Sequence, residues 1–198
     1  MGREFTPFTI GERFRILPEG ESAPDDDRIN LIMAPGAFGS GEHETTASCL
    51  EILEQLPQTA ASSALDLGSG TGILSIAALK LGGRQALCVD INPEAITTCQ
   101  RNCTLNGVAS QVTHVCGTLA AAPKARYNLI LANIYGDILI DVANELVAAT
   151  TPGCPMLLSG ILYEYNFDVR RVYQRLGCTV LQNHMLTEFS TVLLRAPE

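Results

Sequence analysis

Leu65-Asp66-Leu67-Gly68-Ser69-Gly70-Thr71-Gly72 is the stretch on which the fold turns. Before it, Ser63-Ala64-Leu65 reads as the end of a buried strand. After it, Ile73-Leu74-Ser75-Ile76-Ala77-Ala78-Leu79 reads as a helix apolar nearly all round, and hence buried. Three glycines at alternate positions between a strand and a helix are expected to let a ligand lie against bare backbone N–H groups at the helix N-terminus.

The spacing selects the ligand. A dinucleotide fingerprint needs G-x-G-x-x-G, and its third glycine would fall at Ile73. Asp66 puts a carboxylate at the mouth of the loop, where it repels a pyrophosphate and attracts an ammonium group. A ligand with an ammonium and no phosphate, such as S-adenosylmethionine, fits that pattern. Asp90 ends the next strand, Ala86-Leu87-Cys88-Val89-Asp90, where an acid can accept hydrogen bonds from a ribose diol. A tight turn without any ligand accounts for the glycines but not for Asp66.

From residue 62 onward strands and helices alternate. Strand Ala64–Leu67, helix Thr71–Leu81 and strand Gln85–Asp90 come first. A helix capped by Asn92 with Pro93 in its first turn follows, ending near Asn106-Gly107. Next are strands Gln111–Val115 and Tyr127–Ala132, helix Asp137–Ala149, strand Pro155–Ser159 and helix Glu164–Leu176. Two final runs, Cys178–Gln182 and Phe189–Leu194, have no helix between them and must pair antiparallel. The pattern predicts an α/β, Rossmann-like class I S-adenosylmethionine-dependent methyltransferase fold. Its mostly parallel seven-stranded sheet closes with a C-terminal antiparallel hairpin. Ligands of such sheets sit at the carboxyl ends of the strands, where Asp66, Asp90 and Asn133 fall. Asn133 follows the apolar run Leu129-Ile130-Leu131-Ala132, so it either caps a helix or faces a pocket.

Residues 1–33 read as an N-terminal linker and β-hairpin arm, with residues 34–198 as the methyltransferase domain. Strands Arg13–Leu17 and Ile29–Met33 are joined by the polar loop Pro18–Asp27. The segment Ala34-Pro35-Gly36-Ala37-Phe38-Gly39-Ser40-Gly41-Glu42-His43-Glu44-Thr45-Thr46 then opens onto a helix over Ala47–Leu56. Its length and its mix of Phe38, His43, Thr45 and Thr46 favour a loop folded over a ligand, against plain helix capping by the threonines.

Composition narrows the function classes. The chain has 198 residues, 46% hydrophobic and 17% charged, with no run long enough for a membrane span and no signal-peptide core at Met1-Gly2-Arg3-Glu4. A cytoplasmic protein is expected. A net charge of −8 provides no basic stripe for direct nucleic-acid binding and suits a cationic substrate. The seven cysteines are mostly embedded in apolar segments, as befits a reducing compartment. Cys99 and Cys103 stand one helical turn apart, but no second ligand cluster accompanies them in sequence, so no metal site is expected.

These motifs together resemble the ribosomal protein L-eleven methyltransferase family (PrmA-like). The resemblance rests on Phe5-Thr6-Pro7 through Gly11, the loop Gly36–Thr46, Asp66–Gly72, Asp90, Ala132-Asn133-Ile134 and Ser159-Gly160-Ile161-Leu162. It covers nearly the whole chain and implies N-methylation of lysine side chains and the N-terminal amine of a basic ribosomal protein. It also implies cofactor contacts at Thr46, Gly68, Asp90 and Asn133.

Three departures stand out. Family members usually carry a separate N-terminal substrate-recognition domain, and this chain begins at the linker that would follow it. The family loop G-T-G-T-H-P-T-T reads Gly39-Ser40-Gly41-Glu42-His43-Glu44-Thr45-Thr46, with two added carboxylates. Gly117-Thr118 stands where many methyltransferases place an acid near the adenine.

The expected cofactor-binding residues are therefore Phe38, Thr45, Thr46, Asp66, Gly68, Ser69, Gly70, Asp90, Ile91, Thr118 and Asn133. Asn133 and His43 are the expected catalytic residues, with Glu42 and Glu44 as further proton acceptors. A methyltransferase acting on a small-molecule acceptor is the alternative, and a non-catalytic cofactor-binding protein is a third reading.

Overall fold

The computed structural model describes residues 6–34, 43–57 and 63–198. Its first sheet has three strands: β1 (Phe8–Ile10), β2 (Phe14–Pro18) and β3 (Ile29–Met33). Both strands expected here are present, but the pairing differs from the expected hairpin. β2 and β3 run parallel, Phe14 opposite Ile29, and the hairpin is made by β2 with the short β1, Phe8 opposite Ile16. A tight hairpin needs a loop of a few residues. The polar stretch Pro18–Asp27 is too long for that and carries the chain back for parallel entry, clasped by an ion pair between Arg15 and Asp26. Gly11, at φ 58°, makes the β1–β2 turn, and Glu54 accepts hydrogen bonds there from the Glu12 and Arg13 N–H groups at 3.0 and 2.9 Å.

The chain then forms α1 (Glu44–Leu53), β4 (Ser63–Leu67), α2 (Ile73–Lys80), β5 (Gln85–Asp90), α3 (Pro93–Leu105), β6 (Val112–Cys116) and β7 (Leu129–Asn133). Next are α4 (Gly136–Asp141), α5 (Ala143–Ala148), β8 (Pro155–Leu162), α6 (Tyr163–Arg175), β9 (Thr179–Met185) and β10 (Phe189–Arg195). The second sheet has seven strands in the order β6-β5-β4-β7-β8-β10-β9. β4 to β8 are parallel, whereas β10 lies antiparallel between β8 and β9. This is the expected class I methyltransferase sheet, with its closing hairpin inserted rather than appended.

Several boundaries differ from expectation: α1 runs Glu44–Leu53 where Ala47–Leu56 was expected, β9 runs Thr179–Met185 where Cys178–Gln182 was expected, and two further differences have a plain cause. The single helix expected over 137–149 is two, because Val142 leaves helical geometry at ψ 5°. β8 runs three residues past Ser159, because Ser190 and Phe189 of β10 pair with Ile161 and Leu162.

Each face of the large sheet carries its own core. Alternation along β4 sends Ala64 to one face and Leu65 and Leu67 to the other. On the first face α1, α2 and α3 pack together with Ile10, Phe14, Ile16, Leu31 and Met33, so the small sheet shares this core. Asn102 of α3 fastens it: its Oδ1 accepts from the Ala34 N–H at 2.9 Å, and its Nδ2 donates to the Thr71 carbonyl at 2.9 Å. The end of β3 is thereby tied to the glycine loop.

The second face is covered by α4, α5 and α6. There the fully buried Tyr173 hydroxyl donates to the Leu139 carbonyl at 2.9 Å, locking α6 to α4. Tyr173→Phe is expected to lower stability by about 1 kcal/mol, the net value of one buried hydrogen bond. Urea unfolding with an unchanged m-value would show it. Among the described residues, no helix is long and apolar enough to cross a membrane.

Candidate active site

The carboxyl ends of β4 and β7, the start of α1, the first turn of α2 and the tip of the β9–β10 hairpin surround a cleft of about 280 Å³. That volume is close to the lower end of the ~300–1,000 Å³ usual for small-ligand sites. His43, Thr45, Thr46, Asp66, Gly68, Ser69, Gly70 and Asn133 all line it, joined by Thr71, Ile73, Leu74, Ile134, Tyr135, Ile138, Gly160 and Phe189. Phe38 and Glu42 lie outside the described residues.

The glycine loop is built differently from expectation. Four of its N–H groups are turned inward: Gly68 and Ser69 donate to the Val89 carbonyl at 2.8 and 3.1 Å, and Gly72 donates to the Ser69 carbonyl at 2.7 Å. Gly70 donates to Asp90 Oδ2 at 2.9 Å. The turn is so tight that it satisfies itself on the end of β5. What the loop offers is close approach, not a nest of donors for an anion. Gly68 sits at φ 71°, and a side chain there would collide with the Ile134 methyl. The Ser69 hydroxyl is buried without a hydrogen-bond partner, an acceptor and donor ready for a polar ligand.

Asp66 is the charged centre of this cleft. Its side chain is on the α1–α3 face of β4 and is only 2% exposed, and its Oδ2 accepts from the Ser75 hydroxyl at 2.7 Å. Burial pushes its carboxyl up to about 6, against the Ser75 hydrogen bonds, with a smaller upward push from Asp90. A cationic partner would stabilise the ionised form.

On the opposite wall, Asn133 ends β7 and its Nδ2 donates to Thr46 Oγ1 at 3.4 Å. Gly160, at φ 77°, passes so close that a Cβ would lie 2.8 Å from the Ile134 carbonyl oxygen and 3.1 Å from Asn133 Oδ1. His43 caps α1, with Nδ1 2.8 Å from Thr45 Oγ1 and accepting from the Thr45 N–H at 3.4 Å. Its ring meets Phe189 edge-on, centroids 5.3 Å apart. Glu44 does not turn toward the cleft as expected. Its carboxylate accepts from the Thr187 and Glu188 N–H groups at 3.0 and 3.2 Å, which clamps the hairpin tip to α1 and holds the group below its ordinary value.

The family model of the ribosomal protein L11 methyltransferase (PrmA) matches residues 2–195. The chain belongs to this family. The Chromohalobacter salexigens ribosomal protein L11 methyltransferase is 40% identical over 175 residues, covering 88% of this chain and 58% of that protein. The Geobacter metallireducens relative of the same name is 37% identical over 196 residues, covering 98% and 64%. The chain thus spans roughly three fifths of the length of these curated relatives. Among solved structures, a ribosomal protein L11 methylase from Lactobacillus delbrueckii subsp. bulgaricus shares the fold with a TM-score of 0.87 at 24% identity, covering 98% of this chain and 99% of that one. An RNA methyltransferase from Salinibacter ruber, solved with S-adenosylhomocysteine, matches at 0.61 and 19%, covering 79% and 93%.

Within this L11 methyltransferase family member, three expected contacts stand apart from the cleft. Asp90 closes the far side of the glycine loop, with Oδ2 on Gly70 and Oδ1 accepting from the Asn92 N–H at 2.9 Å. Ile91 is 74% exposed beside it, and Thr118 is exposed after β6. All three share one sheet edge, since Asp90 pairs with Cys116 and its carbonyl accepts from the Gly117 N–H. Phe189 and Ile138 are cleft residues that sequence reasoning missed. Phe189 is delivered by a hairpin more than 140 residues from His43, and no spacing rule reports such a contact. Gly160 was legible only as part of the resemblance.

Proposed function

We propose that this chain is an S-adenosylmethionine-dependent methyltransferase that N-methylates lysine or N-terminal amines of ribosomal protein L11. One observation carries the reading: a buried carboxylate, a glycine loop whose Gly68, Ser69, Gly70 and Gly72 N–H groups are already bonded within the protein, and an amide on the opposite wall line the same cleft. That combination suits a ligand with an ammonium and no phosphate. The unpartnered Ser69 hydroxyl and the close approaches at Gly68 and Gly160 fit such a ligand as well. Family membership supports the acceptor, and a ribosomal protein acceptor in turn supports a cytoplasmic location.

S-adenosylmethionine supplies an electrophilic methyl group on a sulfonium. Asp66 holds an ammonium at the glycine loop, and Asp90, Ile91 and Thr118 extend the site along the sheet edge toward a nucleoside. Asn133, oriented by Thr46, accepts a hydrogen from the incoming amine and aims its lone pair. A lysine amine has an ordinary pKa of about 10.4 and must enter neutral. The apolar side chains of Ile134, Tyr135, Ile138 and Phe189 lower the polarity around the amine and favour that form. His43 is assigned to this catalytic site by shape: its Nδ1 faces Thr45, and its ring sets the position of Phe189.

Incubation with methyl-labelled S-adenosylmethionine and purified ribosomal protein L11 tests the proposal. Label on the protein, mapped by mass spectrometry to lysine or the N-terminus, is the expected result. Label appearing only when a small-molecule fraction of cell extract is supplied would replace it with a metabolite methyltransferase.

A further inference from the structure

A second cluster of reactive side chains lies beside the glycine loop and has no part in the proposed function. Cys88 on β5 and His114 on β6 stand opposite each other in the parallel register. α3 brings Cys99 and Cys103, one helical turn apart, onto the same face of the sheet. The ligand atoms of Cys88, Cys99 and His114 all lie within 4.8 Å of one another. Cys103 and Cys88 stand close enough to Cys99 that both push its thiol up, together with burial. All three cysteines are fully buried, and His114 Nδ1 is buried with no hydrogen-bond partner.

We propose that Cys88, Cys99, Cys103 and His114 form a tetrahedral site for one zinc-type divalent ion. Buried cysteines packed as small apolar residues are common. That reading leaves the imidazole nitrogen unexplained, because an orphaned buried polar atom costs roughly 1–3 kcal/mol. The donor set is three sulfurs and one nitrogen with no oxygen, which selects Zn²⁺ and its soft or borderline relatives over Mg²⁺ or Ca²⁺. Metal–sulfur bonds of about 2.3 Å put tetrahedral ligand atoms somewhat under ~4 Å apart. For Cys88, Cys99 and His114, rotamer adjustment of under about 1 Å closes the present 4.8 Å to that geometry, and Cys103, one turn along α3 from Cys99, is the fourth donor that swings in. On binding, each cysteine sulfur gives a lone pair to the ion and its thiol proton to solvent, while His114 binds as the neutral imidazole. Burial already favours that neutral form. The cluster also adjoins the cleft: Cys88 donates to Ser75 Oγ at 3.2 Å, and Ser75 donates to Asp66.

The sequence predicted no metal site because it shows only the Cys99/Cys103 pair. Cys88 and His114 join that pair through strand register.

Cobalt titration of the reduced, chelator-treated chain tests the site. One Co²⁺ per chain is expected, with the intense visible bands of tetrahedral cobalt and thiolate charge transfer in the near ultraviolet, both erased by Zn²⁺. Cys99→Ser is expected to weaken cobalt binding by at least about 100-fold. His114→Gln, at a half-buried position that tolerates exchange, provides a second variant with the same expected loss. Cys116→Ser removes the exposed thiol nearby and is expected to change nothing. Absence of a tetrahedral spectrum at stoichiometric cobalt would overturn the proposal. So would a spectrum that survives Cys99→Ser and His114→Gln but is lost with Cys116→Ser.

Discussion

Gly160→Ala is expected to lower stability by about 2–4 kcal/mol and to cut turnover of the folded enzyme by about 100-fold or more. The stability loss has two sources. Holding a non-glycine residue in the left-handed region costs roughly 1–2 kcal/mol, and Gly160 sits there at φ 77°. The new Cβ would also lie 2.8 Å from the Ile134 carbonyl oxygen, a backbone atom anchored by the Ile134 N–H to Ser159 bond of 3.0 Å. A flexible side chain would swing aside, whereas this carbonyl takes Asn133 with it, because β7 and β8 pair Asn133 with Ser159. Displacing a positioning group by about 1 Å costs on the order of 100-fold in rate.

Gly82→Ala separates the two effects. Gly82 is also left-handed, at φ 109°, but a Cβ there meets nothing within 4 Å. It is expected to cost about 1–2 kcal/mol and leave turnover unchanged. Thermal unfolding and methyl-transfer assays on both variants make the comparison. Equal destabilisation with full turnover in both would assign Gly160 to chain reversal alone.

Asp66→Asn is expected to weaken binding of S-adenosylhomocysteine, which carries the same ammonium group, by about 10–100-fold at pH 7.5. The pH dependence carries the sharper signature. The folded protein holds the Asp66 proton up to about pH 6, whereas an unfolded aspartate releases it near 3.8. Between those values the native state binds more protons, so this group's contribution to stability falls as pH rises through the interval. Ligand affinity moves the opposite way. An ammonium is attracted only by the ionised carboxylate, so affinity climbs as pH rises through 6 and levels off above 7. Below pH 6 the dependence approaches about tenfold per pH unit. Calorimetric titration at pH 5.5, 6.5 and 7.5 is expected to show that climb in the natural protein and a flat profile in the variant. A climb that persists in Asp66→Asn would move the ammonium contact to another acid.

Much of the fold was legible before any coordinates because its signals are local. Asn92 and Pro93 open α3 as predicted, since a side chain that caps a helix and a ring that pre-sets φ act within one turn. The arm is a counter-example. Period-2 alternation located Arg13–Leu17, one residue before the observed Phe14–Pro18, and Ile29–Met33, but alternation is the same for parallel and antiparallel partners. The cleft divides in the same way. Asp66 and Asn133 announced themselves as polar residues at the ends of apolar strands. The glycine N–H groups, expected to face a ligand, turned out to bind Val89 and Asp90, because the end of β5 competes for them.

By itself, the sequence determined the order and kind of elements, the glycine turn with its buried acid, and the strand ends at which a ligand can bind. Short-range sterics, capping and hydrophobic period suffice for those features. Tertiary structure alone decided the insertion of β10 between β8 and β9, and with it the arrival of Phe189 at His43 and of Thr187 at Glu44. It also decided the meeting of Cys88 and His114 with Cys99 of α3. Those contacts depend on which strands become neighbours and in what register. That choice is made by the burial of both sheet faces at once, a property of the whole chain that no local window contains.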